Sequence, residues 1–182
     1  TKNYFYLFAG ILGGAGASIV AYHMFSHVRT RVIAFLHPWS NINDSGYQIT
    51  QSLFAIGTGG WFGLGIDQGD PTSIPYVEQD FIFSAVAEEM GVVFGSCLIL
   101  VCVSCFIVFM KIAMQLKEDF YRYIAVGIST IYIFQVFLTI GGGTRFIPLT
   151  GVTLPLVSYG GSSVLTTIIM FSIIQGLYCI QS

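Results

Sequence analysis

An all-α, polytopic membrane fold is what this sequence predicts, and three observations carry the prediction. The chain is 54% hydrophobic and only 9% charged, where a soluble domain carries about 25% charged residues, and its mean hydropathy is +0.78. Its apolar residues come in blocks close to the roughly 20 needed to cross a bilayer. Five of its seven basic residues fall in alternate connections, as the positive-inside rule requires. The net charge of −2 is uninformative about partners, but those seven bases form no patch, so no nucleic-acid partner is expected.

Five apolar segments follow in order. The first, 4–22, is rich in glycine (Gly10, Gly13, Gly14, Gly16), and small residues let helices approach closely in lipid. The second, 47–64, is mixed. Gln48, Ser52, Ala55 and Gly59 share one helical face, which predicts a tilted or partly interfacial helix. The third, 81–110, contains the uncharged run Met90–Met110, about 31 Å of helix and a match to a hydrocarbon core. The fourth is 123–140 and the fifth 158–180. Arg29 and Arg31 separate the first pair, and Lys111, Lys117 and Arg122 separate the third and fourth. The connection 65–79 carries Asp67, Asp70 and Glu78 and no base. If all five segments cross, the connection ending at Asp80 faces outward and Ser182 faces the cytoplasm. The chain begins at Thr1 without a signal-peptide pattern and ends directly after an apolar segment. It is therefore expected to be the C-terminal half of a larger polytopic protein, inactive without the other half.

The acids need a reason, because a charge within a membrane costs about 2.5–3.5 kcal/mol on insertion scales. Glu78, Gln79 and Asp80 directly precede the third segment, and Glu88 and Glu89 lie within it. Asp80 is expected in the first helical turn, where a carboxylate serves either as a cap or as a base at the membrane surface. It could also help hold a divalent cation. Glu88 and Glu89, eight and nine residues on, are expected near the Asp80 face. They either support the backbone of glycine-rich neighbours or join the site, with Arg145 as their natural partner. The run Gly57–Gly65 lacks the spacing of a nucleotide loop and reads as a turn, with Trp61 either an interfacial anchor or a substrate contact. The segment 141–163 alternates glycine, proline and hydroxyls with apolar residues. Such backbone persists at membrane depth only where it is buried or lines a cavity, so it is expected to fold back and wall a polar cavity. Cys97, Cys102, Cys105 and Cys179 have no metal-ligand spacing and read as buried small hydrophobes.

The run Leu149-Thr150-Gly151-Val152-Thr153-Leu154-Pro155-Leu156-Val157-Ser158-Tyr159-Gly160-Gly161-Ser162-Ser163 closely resembles the C-terminal signature of the SEDS proteins (FtsW, RodA, SpoVE). Asp80-Phe81-Ile82-Phe83 with Glu88-Glu89-Met90-Gly91, and the run from Gly46 through Gly63, resemble two further motifs of that family in the same order. The sequence departs from the family pattern at His37, where an aspartate usually precedes Pro-Trp, and at Tyr76, where a glutamate usually stands four residues before the catalytic aspartate. The resemblance implies the last five of about ten spans, in a bacterial plasma-membrane protein that polymerises lipid II in cell-wall synthesis for division or shape. It implies Asp80 as the catalytic acid, and a class B penicillin-binding protein beside membrane lipid as partners. Glu88, Glu89, Arg145, Ser158, Tyr159, Ser162 and Ser163 would bind substrate or support the cavity. Cationic help for the leaving pyrophosphate would come from Arg145, from Mg2+ or Mn2+, or from the other half of the protein. A lipid II flippase and a non-catalytic scaffold for the penicillin-binding protein are the rival readings.

Overall fold

The computed structural model describes residues 4–42 and 46–181, so the sidedness expected of Ser182 lies outside them. The described residues form helices and turns without a strand. Contacts divide the chain into two compact units, Thr1–Tyr47 and Gln48–Ser182. The first holds α1 (Tyr4–Met24), α2 (Ser26–Leu36) and a short 3-10 turn, Trp39–Asn41. The second holds α3 (Tyr47–Gly59, from its second residue), a 3-10 turn Pro71–Ser73, α4 (Ile82–Gln115), α5 (Asp119–Gly143) and α6 (Gly161–Gln181).

In the first unit α1 is apolar on every side and exposes Phe5, Phe8, Leu12 and Ile19, the pattern of a helix solvated by lipid rather than by a core. Arg29 and Arg31, expected in a loop, instead sit on α2. That helix was missed because its apolar stripe is short. It stops at His37, whose N–H donates to the Ile33 carbonyl, because the residue before Pro38 is disfavoured in the helical region.

Four described helices are long and apolar enough to cross a membrane: α1, α4, α5 and the α6 stretch Gly161–Cys179. The segment expected over 47–64 is a helix of only 13 residues, about 20 Å against a hydrocarbon core of about 30 Å. It ends at Gly59, and the chain leaves as a turn with Gly60 at φ +56°. Of the four residues expected on one face, Ser52, Ala55 and Gly59 are buried and Gln48 is half-buried. Ser52 commits its proton to the Gly143 carbonyl at 2.7 Å. The Ser84 hydroxyl, 2.6 Å away, must then donate to Ser52, since a hydroxyl has one proton. One buried polar pin thus joins α3, α4 and the end of α5.

The core of the second unit lies among α4, α5 and α6. Phe109, Tyr132 and Phe171 pack edge to face with centroids 4.8–5.8 Å apart, a favoured aromatic geometry. Cys102 is buried among them, but Cys97 and Cys179 are exposed on apolar helix surfaces. The buried-cysteine expectation therefore fails for those two. At the start of α5, Asp119 occupies the first turn and pairs with Arg122.

Candidate functional site

Gly91, at φ +82° and ψ 169°, breaks α4. An unbroken helix would send the Val92 and Val93 N–H groups to the Glu88 and Glu89 carbonyls. Here they donate to the Gly60 and Trp61 carbonyls, at 3.0 and 3.2 Å. The two freed carbonyls accept from the Leu64 and Gly65 N–H groups, both at 2.9 Å. The run Gly60–Gly65 is thus spliced into the break, and four bonds replace two. A Cβ at Gly63 would lie 2.2 Å from the Glu89 carbonyl oxygen, and one at Gly91 2.4 Å from the Gly63 nitrogen. This glycine run, expected as a turn, is a packed structural insert.

Asp80 lies on the turn before α4, not in its first helical turn. The N-cap is Phe81, whose own side chain makes no capping hydrogen bond. The turn is held on both flanks by Ile74 and Phe81, which bury themselves with Ala55 in one apolar cluster. Its backbone is tied internally, with the Gln79 and Asp80 N–H groups both donating to the Tyr76 carbonyl at 3.1 Å. Tyr76, which stands where the family pattern has glutamate, takes the left-handed conformation at φ +60°. Asp80 itself is half-buried, presented on a short and over-determined piece of backbone.

Glu88 does not share that position. Asp80 is outside the helix, so the expected common face does not exist. The Glu88 side chain is 8% exposed and lies under Gly69, where a Cβ would meet its carboxyl carbon at 2.9 Å. One oxygen accepts a long bond from the Asp70 N–H, 3.4 Å, and the other has no partner. Arg145 is therefore not its ion-pair partner, as the sequence had suggested. Glu89 is half-buried, and its part in the site is backbone, through its carbonyl. Arg145 is half-buried and left-handed at φ +57°, at the turn after α5.

Of the segment expected to fold back, 141–163, residues 141–143 end α5 and 161–163 begin α6, and the stretch 150–160 is non-helical. Its polar backbone is answered from several directions. Thr139 Oγ1 donates to the Val152 carbonyl at 2.7 Å. The Leu154 N–H donates to Ser158 Oγ at 2.8 Å, and the Tyr159 N–H to the Glu78 carbonyl at 2.8 Å. The last bond ties this segment to the turn that carries Asp80. Between the segment, α5 and α6 lies a cavity of about 480 Å³, walled by Gln79, Gln135, Thr153, Tyr159, Ser162 and Ser163. Three expected residues, Tyr159, Ser162 and Ser163, therefore do meet there, next to Asp80's neighbour Gln79. Ser158 does not; it is buried and serves the backbone. Gln135 was missed. Its signal in sequence is a lone carboxamide within an apolar helix, a functional suspect for the same reason as an intramembrane acid. Among the described residues no three His, Cys, Asp or Glu side chains cluster as metal ligands.

A family model described as "Cell cycle protein" (FTSW_RODA_SPOVE) matches residues 2–180. The chain is 38% identical over 174 residues to "Peptidoglycan glycosyltransferase RodA" of Mycobacterium tuberculosis, covering 96% of this chain and 37% of that protein. It is 46% identical over 142 residues to "Probable peptidoglycan glycosyltransferase FtsW" of Francisella salina, 74% of this chain and 35% of that one. It is 36% identical over 167 residues to "Stage V sporulation protein E" of Bacillus subtilis, 91% and 45%. A solved chain from "Structural coordination of polymerization and crosslinking by a peptidoglycan synthase complex" superposes with a TM-score of 0.78 at 25% identity, over 98% of this chain and 50% of that one. The chain thus spans half or less of the length of the proteins it matches.

Proposed function

This chain belongs to the FtsW/RodA/SpoVE family, and from that premise we propose that it is the C-terminal half of a membrane peptidoglycan glycosyltransferase that polymerises lipid II. The observation that carries the chemistry is Asp80, held on a pinned turn whose preceding residue, Gln79, walls a cavity of hydroxyls and carboxamides. In this reading the Asp80 carboxylate takes the proton from the acceptor sugar's 4-hydroxyl. That oxygen attacks the donor's anomeric carbon from the face opposite the lipid pyrophosphate. The glycosidic bond forms, the sugar–phosphate bond breaks, and the pyrophosphate leaves with the electron pair. A base rigidly presented is the more effective one, because little reorientation remains to be done in the transition state.

Arg145 is the cation this chain offers to the departing pyrophosphate. A Mg2+ or Mn2+ there would supply further charge neutralisation. The described residues do not form a ligand set for it, so no step is routed through a metal. In this reading α3, although short of a full span by itself, carries the chain across together with the run that follows it, so that the connection 65–80 faces outward and the C-terminus faces the cytoplasm of a bacterial plasma membrane. The structure of a synthase that couples polymerization to crosslinking supports a class B penicillin-binding protein as partner.

The test is Asp80→Asn in the full-length protein, assayed with purified lipid II. General-base catalysis typically contributes about 10²–10⁴-fold, so polymerisation should fall at least that far while the protein still folds. Activity within a few-fold of wild type in a well-folded variant would refute the assignment. Blocked lipid translocation with normal polymerisation would point to a flippase instead.

A further inference from the structure

The cavity beside Gln79 has a property that the proposed reaction does not use: none of its wall residues carries a charge. We propose that it is the subsite for an uncharged, N-acetylated sugar ring of the acceptor strand, read through the Gln135 carboxamide, and that it is not a seat for the pyrophosphate. The proposal rests on the reading of the protein as a lipid II polymerase.

Four observations carry it. The volume, about 480 Å³, lies within the roughly 300–1,000 Å³ typical of ligand sites. The wall pairs hydroxyls with carboxamides, the mixture that matches sugar hydroxyls and an acetamido group. A pyrophosphate would instead call for guanidinium or ammonium, and the wall has neither, although the first turn of α6 lies in it. The Gln135 side-chain oxygen is buried at the wall and accepts no hydrogen bond. A buried acceptor without a donor is costly, and an incoming N–H or O–H would satisfy it. Three hydroxyls of the wall, those of Thr153, Ser163 and Thr166, are already engaged. Thr153 Oγ1 donates to Ser163 Oγ at 2.7 Å, and Thr166 Oγ1 donates to the Ser162 carbonyl at 2.8 Å. Gln135 Oε1 is thus a buried wall acceptor that no described residue satisfies. Finally, Gln79 precedes Asp80 directly, so a ring seated against it brings its free hydroxyl toward the base.

The experiment uses the full-length protein with its penicillin-binding partner. Gln135→Leu, of similar size and apolar, should raise KM for lipid II about tenfold, the worth of roughly one hydrogen bond, with kcat within about threefold. A soluble N-acetylated disaccharide should compete with lipid II in the wild type and lose potency about tenfold in Gln135→Leu. Inorganic pyrophosphate should compete equally well in both. Ser163→Ala should weaken the disaccharide severalfold and decides the question if the Gln135→Leu melting temperature shows misfolding. An unchanged KM and unchanged disaccharide potency in folded variants would mean that water serves Gln135, and would overturn the proposal. So would an equal loss of pyrophosphate potency. Failure of the parent reading looks different: Asp80→Asn stays active, whatever the disaccharide does.

Discussion

At the scale of single residues, Glu88 and Asp80 illustrate how two acids eight positions apart acquire different tasks. Asp80 ends a surface turn, whereas Glu88 is buried under Gly69 and holds the Asp70 amide. Glu88→Gln keeps that acceptor and the shape of the side chain. It should therefore reduce polymerisation less than Asp80→Asn does, with a melting temperature close to wild type. Equal losses in a lipid II assay would give Glu88 a share of the chemistry. The acids themselves were legible in sequence, because their cost in an apolar chain marks them. Their partners were not. Helical periodicity applied across Asp80 assumed a helix that begins only at Ile82, and it placed Arg145 beside a carboxylate that the fold gives to a backbone amide.

At the scale of elements, the broken α4 and the glycine run spliced into it form one unit. Gly63 sits at φ +80° with the Glu89 carbonyl where a Cβ would go. The left-handed backbone alone costs an L-residue about 1–2 kcal/mol, and the clash adds to it. Gly63→Ala should lower the melting temperature of the purified full-length protein by many degrees and lower polymerisation with it. Gly57→Ala is the control, since it lies within α3 with nothing within 4 Å of its Cβ. There alanine should leave stability unchanged or raise it by about 0.5–1 kcal/mol. Equal effects of the two would show that the splice does not hold the helix break. The sequence showed a dense glycine run at 57–65 and a lone glycine at the break, Gly91. It could not pair them, because the four exchanged hydrogen bonds join backbone groups 24 or 32 positions apart.

At the scale of the whole molecule, the prediction is one of sidedness. A cysteine label at Ser73 should react from outside the cell, and one at Gln115 only from inside. Reaction of both from the same side would sink the arrangement proposed for α4. A second expectation concerns the partner. Helices as apolar on their surfaces as α1 and α5 associate by close packing. Copurification with the penicillin-binding protein should thus survive about 1 M salt, where screening acts within roughly 3 Å. Loss of the complex would mean an electrostatic interface. The sequence by itself determined the all-helical membrane character, the family, the long apolar helices to within a few residues, and the fold-back of 150–160, because hydropathy, glycine and proline act locally along the chain. The tertiary structure alone decided the shortness of α3, the break at Gly91, the burial of Glu88 and the neutral cavity around Gln135. Each of these depends on which distant backbone groups and side chains meet, and apolar composition is the same whether a helix continues or breaks to receive a loop.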